Sequence, residues 1–244
     1  MRYPILCSIG LVFASGMNPA CAGDREAALA VVNRAIDAHG GPKALAKAEM
    51  RSRSGRGVLL LDGETRLTTE ETYRFPDRCR LVVSLGRNRI VLVLNGAKGW
   101  TQSGGETREM NEPTVRERKE ELYVWWLMNL TPLLKDGFDL APMADAKVNG
   151  EDAAVVKVAH RGYPDARLFF DKKSHLLVKM SRRSTETGVA LTKDYVFSDY
   201  KEFDGIKWPT KEIVSFNGTT KVSEVRFDGI KVLSSVEDKL FEKP

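Results

Sequence analysis

Histidine and cysteine are scarce in this 244-residue chain, which has three of each. His39, His160 and His175 have no partners at the spacing of zinc ligands, and no H-E-x-x-H motif is present. The chain also lacks the G-x-S-x-G elbow of serine hydrolases. The sequence therefore predicts no metal, no cofactor and no catalytic residue, and a secreted enzyme with an unrecognised site stays only as an alternative.

An excess of charge of one sign is also missing. The chain has 38 Lys+Arg and 33 Asp+Glu, a formal net charge of +5, and the two signs are interspersed, so we expect no nucleic-acid partner. The acidic pairs Glu70–Glu71 and Glu120–Glu121 fit a solvated face, because neighbouring side chains on a strand or helix diverge. With 42% hydrophobic and 29% charged residues, the composition excludes disorder and a multi-span membrane protein, and it fits one domain.

Long hydrophobic runs are confined to the start of the chain. Arg2 precedes an uncharged, mostly apolar stretch over residues 3–17, and Ala20-Cys21-Ala22 has the pattern of a signal-peptidase site. We therefore predict a secretory signal peptide over residues 1–22 and a single domain over residues 23–244. Lipid attachment at Cys21 is an alternative. Cleavage after residue 22 leaves Cys79 as a single cysteine, which is expected to be a small buried side chain.

The mature chain is predicted to open with a helix. Asp24 is placed to cap it, and five residues at helical spacing form its apolar side: Ala28, Val32, Ala35, Ile36 and His39. Gly40-Gly41 ends this helix, and Pro42 begins a short second helix through Ala48. His39 is therefore interpreted as a capping or packing residue at the end of the first helix.

From Gly55 onward the pattern is that of strands joined by tight turns. Six turn signals recur, at Asp62-Gly63, Asn95-Gly96, Asn149-Gly150, Asp204-Gly205, Asn217-Gly218 and Asp228-Gly229. Short turns imply antiparallel pairing, because parallel strands need long crossovers. We predict an α+β, mainly β fold with about ten to eleven strands in one curled antiparallel sheet. The segment from Asp136 to Asn149 could instead divide two lobes.

One helical insertion interrupts the strands. Thr114 and Glu117 have the spacing of a capping box, and Pro132 is expected to kink or restart the helix. Residues 122–134 carry more apolar side chains than one helix face can bury against one sheet face. Residues 90–94 are likewise apolar at five consecutive positions, so their strand is covered on both faces or faces an apolar cavity. The helix thus either plugs an ordinary core or covers a hydrophobic pocket.

Several short motifs resemble the LolA-type outer-membrane lipoprotein carrier proteins. They are His39-Gly40-Gly41 after the first helix, the stretches 73–80 and 94–100, residues 176–179, Gly205-Ile206-Lys207-Trp208-Pro209, and the ending at residues 240–244. The resemblance implies an unclosed antiparallel β-barrel, covered by the N-terminal and central helices, around an apolar cavity. It also implies a periplasmic carrier of lipoprotein acyl chains or lipids, with membrane-bound donor and acceptor proteins. Other relatives regulate envelope stress, which makes a sensor or protein-interaction module the alternative.

The resemblance also suggests residues for the site. Arg74 is most like the family's functional basic residue, although Phe75 separates it from Pro76, whereas the family pattern has no such insertion. The central helix is the candidate lid. The expected cavity lining comprises Arg74, Trp100, Tyr123, Trp125, Trp126, Leu127, Leu130 and Leu134.

Overall fold

The computed structural model describes residues 22–61, 63–186 and 188–244. Its helices are α1 (Ala22–Ala38), α2 (Pro42–Lys47) and α3 (Glu112–Leu127), with 3₁₀ helices at Thr131–Leu134 and Asp238–Phe241. Its strands are β1 (Met50–Leu59), β2 (Thr65–Arg74), β3 (Arg78–Leu85), β4 (Asn88–Asn95), β5 (Lys98–Ser103), β6 (Glu106–Glu109), β7 (Phe138–Val148), β8 (Glu151–His160), β9 (Ala166–Asp171), β10 (Leu177–Glu186), β11 (Val189–Phe203), β12 (Ile206–Phe216) and β13 (Thr220–Val232).

All thirteen strands belong to one antiparallel sheet. Its order is β6-β5-β4-β3-β2-β1-β13-β12-β11-β10-β9-β8-β7, so two meandering arms are joined where β1 pairs with β13. In the described part of the chain β6 and β7 are the two edges, and they do not pair with each other. The predicted fold class, an unclosed antiparallel barrel with few helices, is confirmed.

The chain crosses from one edge of the sheet to the other through α3. Since α3 follows β6 and precedes β7, it joins the two free edges, and it contacts β4 on one arm and β10 on the other. Helix α1 packs along β7 and buries Ala28, Val32, Ala35 and Ile36, as its spacing predicts. We call the face of the sheet that contacts α3 the inner face, and the opposite one the outer face.

The strand count was underestimated. The structure has two strands more than the predicted maximum of eleven. The strands with the weakest sequence signal are the short polar strands β5 and β6, and β7, which the sequence suggested as a division between lobes. Asp228-Gly229 is not a turn. It lies inside β13 at a bulge, where Ser54 is opposite Gly229 and Gly55 is opposite Phe227. Asp228 is the extra residue of that bulge, and its carboxylate accepts hydrogen bonds from the Arg56 guanidinium.

The helix starts also differ from their predictions. Asn111, not Thr114, caps α3, and its side-chain oxygen accepts a hydrogen bond from the Thr114 backbone N–H at 3.0 Å. Asp24 lies within the first turn of α1 instead of capping it. Pro132 does mark a new helical segment, as predicted. It is the second residue of the 3₁₀ helix, which begins directly after Leu130, a residue with a positive φ of 57°.

Strand β4 is covered on both of its faces, which is one of the two alternatives that its unbroken apolar run predicts. On the outer face Val91 and Val93 pack with Val82 against Phe241 of the C-terminal 3₁₀ helix. On the inner face Leu92 and Leu94 lie beside α3. The C-terminal segment therefore forms an outer strap over β3 and β4, anchored by the buried Phe241 ring.

The signal-peptide prediction falls almost wholly on residues outside the described ranges, as does the alternative of lipid attachment at Cys21. Ala22 is the first described residue and begins α1. Within those ranges, no helix has both the length and the apolar character needed to cross a membrane.

Candidate functional site

Helix α3 packs against the inner face. A cavity of about 40 Å³ remains between them, lined by Tyr73, Cys79, Leu81, Leu92, Leu94, Arg118, Glu121, Leu122 and Trp125. Small-molecule sites usually have volumes of about 300–1,000 Å³. The cavity is therefore far smaller than an ordinary ligand site.

The inner face also carries a buried ionic cluster centred on Arg53. Its Nε donates to Glu71 at 2.5 Å, and its Nη1 donates to Glu212 at 3.2 Å. Both carboxylates are buried, and Glu71 also accepts hydrogen bonds from Thr69 and Tyr73. This arrangement corrects the expectation that Glu71 lies on a solvated face, because the register of β1 and β2 places it directly opposite Arg53.

Aromatic rings enclose the two buried arginines. The Arg53 guanidinium lies 4.1 Å from the Phe227 ring and 4.4 Å from the Trp125 ring. Arg51, one inward position away on β1, donates to the side chain of Asn129 and to the Trp125 carbonyl oxygen. Both arginines thus bind the C-terminal half of α3 to the sheet, through cation–π contacts and hydrogen bonds.

A second ionic cluster holds the middle of α3. The Oε2 atom of Glu121 accepts from Arg182 at 3.0 Å, from Lys193 at 3.1 Å and from the Tyr195 hydroxyl at 2.8 Å. Glu120 accepts from Arg182 at 3.2 Å. The Glu120–Glu121 pair therefore faces strands β10 and β11, which corrects the expectation of a solvated pair.

The two clusters shift carboxylate pKa values in opposite directions. Burial raises the pKa of Glu212 to about 7, because desolvation outweighs the nearby Arg53 charge and the Glu71 and Glu121 carboxylates add to the rise. Burial also acts to raise the pKa of Glu121, but Lys193 and Arg182 overcome it and lower that pKa to about 2. Glu121 is thus ionised at neutral pH, and its ion pairs hold α3 to β10 and β11. Glu212, in contrast, titrates near neutral pH.

Replacing Glu212 with glutamine should make stability less dependent on pH. A pKa raised to about 7 from its ordinary 4.5 means that the contribution of Glu212 to folding is fully present below pH 4.5 and is lost as the pH rises through 7. Glutamine cannot ionise, so Glu212→Gln is expected to gain stability relative to the native protein between pH about 5 and about 8. Urea denaturation at both pH values measures this gain.

Glu224→Gln is the control for this measurement. Lys221 and Lys211 lower the pKa of Glu224, so its titration lies below the tested range. Its stability difference from the native protein should therefore stay constant between the two pH values. A Glu212→Gln difference that is equally constant would show that Glu212 does not titrate near neutral pH.

An aromatic stack borders the other side of α3. The Tyr123 ring lies 4.2 Å from Tyr163 by centroids, and His160 lies 4.3 Å from Phe138, with Trp126 tilted against both His160 and Phe138. His160 is half-buried in this stack, at the end of β8. Its Nδ1 atom has no hydrogen-bond partner among the described residues, and desolvation lowers its pKa.

The eight residues predicted to line the cavity lie in different parts of the structure. Trp125 lies against the inner face, and Tyr123 and Trp126 belong to the aromatic stack. Leu127 and Leu130 are buried in the main core, whereas Leu134 is 41% exposed.

The other two residues lie on the outer face. Trp100 packs against the outer cluster that contains Phe241. Arg74 forms an ion pair with Asp238 of the outer strap at 2.5 Å. Neither side chain is near the cavity beside α3.

Cys79 and His39 have structural roles. Cys79 is a free thiol that lines the cavity, and burial, together with Glu71, raises its pKa to about 12, so it stays protonated at neutral pH. His39 Nδ1 lies 2.7 Å from the Ala35 carbonyl oxygen at the end of α1, which agrees with its interpretation as a capping residue. Among the described side chains, no group of three or more His, Cys, Asp or Glu is placed to hold a metal ion.

Comparison with known proteins identifies the fold. The sequence matches no protein-family model and no curated protein. The structure is similar to a LolA superfamily protein from Nitrosomonas europaea, with a TM-score of 0.55 and 13% identity over 82% of this chain and 96% of that one. It is also similar to a Vibrio parahaemolyticus domain described as an outer membrane lipoprotein-sorting protein, with a TM-score of 0.56 and 12% identity over 89% of this chain and 97% of that one.

A third solved structure gives the same result. It is a protein of the DUF1329 family from Desulfovibrio piger, with a TM-score of 0.58 and 11% identity over 88% of this chain and 97% of that one. Identities this low establish a common architecture and leave function to be argued from the site. The resemblance noted in the sequence is therefore confirmed at the level of the fold, and the chain shares its architecture with these three structures, one of which is a LolA superfamily protein.

Proposed function

We propose that this protein is a periplasmic carrier that binds the acyl chain of a lipoprotein or lipid on the inner face of its sheet. The observation that supports this best is α3, which joins the two free edges and packs the apolar side chains of Leu122 and Trp125 against the inner face. A helix in this position can act as a lid whose removal uncovers an apolar groove. Membrane-bound donor and acceptor proteins would then load and unload the cargo.

The energetics of an acyl chain fit this proposal. Burial of each methylene stabilises a complex by about 0.8 kcal/mol, so removing about twelve methylenes from water contributes about 10 kcal/mol to binding. The present cavity of about 40 Å³ cannot hold such a chain. We therefore infer an exchange in which the chain takes the place of the Leu122 and Trp125 side chains. This exchange keeps the groove covered and needs no covalent chemistry.

The wall and the lid have different parts in the proposed exchange. Leu81, Leu92 and Leu94 of the sheet form a fixed apolar wall. Tyr123, Trp125, Trp126 and Leu127 lie on α3, which is the moving segment, and Leu130 follows shortly after its end. The similar Vibrio domain, which is described as lipoprotein-sorting, supports this assignment of cargo at the level of the fold.

Binding of a fluorescent fatty acid to detergent-free protein tests the proposal. Trp125→Ala should tighten binding by at least about tenfold, because it weakens the closed state and raises the fraction of protein with an open groove. Trp100→Ala is the matched control, since it removes a partly buried tryptophan from the outer face, and it should leave the affinity unchanged. Stopped-flow fluorescence would also report faster uptake by Trp125→Ala.

Two results would contradict the proposal in different ways. A native protein that takes up no acyl probe, and carries none when extracted from cells, is not a carrier of acyl chains. Saturable binding with an affinity that Trp125→Ala leaves unchanged or weakens would show that α3 does not compete with the cargo.

A further inference from the structure

We propose that the groove selects an acyl chain with an anionic headgroup, and that this headgroup replaces the Glu121 carboxylate at Arg182 and Lys193. This inference rests on the proposed function, because it requires α3 to leave the inner face. It adds the chemical class of the cargo and the residues that recognise it.

Strands β10 and β11 hold two cations side by side. Arg182 is directly opposite Lys193 in the register of these strands, and both point to the inner face. Like charges in directly opposed positions destabilise a sheet unless an anion lies between them. Glu186, on β10, lies 3.4 Å from Lys193 and is the acid that the sheet itself supplies.

The remaining negative charge comes from the lid. Glu121 places one oxygen within 3.1 Å of donors on Arg182, Lys193 and Tyr195, and Glu120 binds the other side of the Arg182 guanidinium. Three donors that converge on one carboxylate oxygen make a preformed anion site. The sheet thus contains a carboxylate-binding site whose present ligand is a side chain of α3.

Removal of α3 would leave this site without its ligand. Arg182 is buried, and its Nε atom has no hydrogen-bond partner among the described residues even when α3 is in place. When an acyl chain then fills the groove it shields Arg182 from water again, and a buried cation without a counterion is strongly unfavourable. An anionic headgroup would neutralise Arg182 and Lys193 in this cargo-loaded state, whereas an uncharged headgroup would not.

The anion site is continuous with the apolar groove. Trp125 lies one helical turn after Glu121, and its ring packs edge-on against Tyr195 with centroids 5.3 Å apart. Leu122 and Trp125 border the same small cavity as Glu121. A ligand with its acid group at Arg182 would therefore extend its chain into the volume that these two side chains now occupy.

Affinities for palmitic acid and for the alcohol of the same chain length test this inference. At pH about 8 the acid is ionised, so the native protein should bind it at least about tenfold more tightly than the alcohol. Opening of the lid multiplies both affinities by the same factor, so their ratio reports the headgroup alone. Arg182→Met should bring the ratio close to one.

Arg183→Met is the matched control. Arg183 is the next residue of the same strand, but its side chain is exposed on the outer face, so the ratio should stay at its native value. If circular dichroism shows that Arg182→Met does not fold, Lys193→Met has the same expectation, because it leaves Arg182 to neutralise Glu121.

The possible outcomes separate this inference from the proposed function. Equal binding of the acid and the alcohol by the native protein would overturn the inference and leave the carrier function standing. A preference for the acid that persists in folded Arg182→Met and Lys193→Met variants would also overturn it. Binding of neither ligand would contradict the carrier function itself.

Discussion

Replacement of Arg53 with alanine is expected to lower the free energy of unfolding by about 3–5 kcal/mol. Arg53 is the cation shared by Glu71 and Glu212, and all three side chains are buried. Its removal leaves the buried Glu71 carboxylate without its ion-pair partner and Glu212 without its hydrogen bond from Arg53, and it also removes the contacts with the Trp125 and Phe227 rings. Chemical denaturation at neutral pH measures the loss.

Arg56→Ala is the control for Arg53→Ala. Arg56 lies on the same strand and also forms an ion pair, at 2.7 Å from Asp228, but its side chain is 77% exposed. Exposed pairs contribute at most about 1 kcal/mol, so this variant should remain close to native stability. Equal losses of unfolding free energy in the two variants would show that the buried Arg53 cluster stabilises the protein no more than an exposed ion pair does.

Phe241→Ala is expected to have the second large effect and to lower the free energy of unfolding by about 3–5 kcal/mol. The Phe241 ring is fully buried against Val82, Val91 and Val93, so its deletion leaves a cavity between the outer strap and the sheet. We expect a lower denaturation midpoint together with faster proteolysis of the C-terminal segment.

Arg74→Ala separates the packing of the strap from its charge. Arg74 and Arg78 both pair with Asp238, whose side chain is 71% exposed, so the loss should be below about 1 kcal/mol. Acyl binding should also be unchanged, because Arg74 lies on the outer face. A strap that detaches more readily in Arg74→Ala than in Phe241→Ala would mean that the ion pairs, not the ring, hold it.

Local patterns in the sequence predicted much of the fold. Asn-Gly and Asp-Gly pairs at Asn95, Asn149, Asp204 and Asn217 lie at strand turns, because turns need residues that tolerate positive φ. The unbroken apolar run of β4 correctly indicated cover on both faces as one of two alternatives. Such signals depend on neighbours in sequence, which is why they could be read without a structure.

The ionic clusters of the site could not be predicted in this way. The stretch Arg51-Ser52-Arg53-Ser54 contains only polar residues. It therefore lacks the alternation of apolar and polar side chains that would identify the inner face of a strand. Arg53 is buried because β2 and β12 supply carboxylates that are distant in sequence. A charged residue on an inner face becomes recognisable only when its partners across the sheet are known.

The pairing of β1 with β13 has a consequence for folding kinetics. Each arm is a meander with mostly local contacts, but the pair that joins the arms connects the first and last strands of the sheet. High contact order of this kind slows folding, because the loop-closure entropy is lost before the pairing compensates for it. The edge of β1 therefore stays unpaired until the end of the chain is available, and during that interval the nascent protein is most exposed to aggregation.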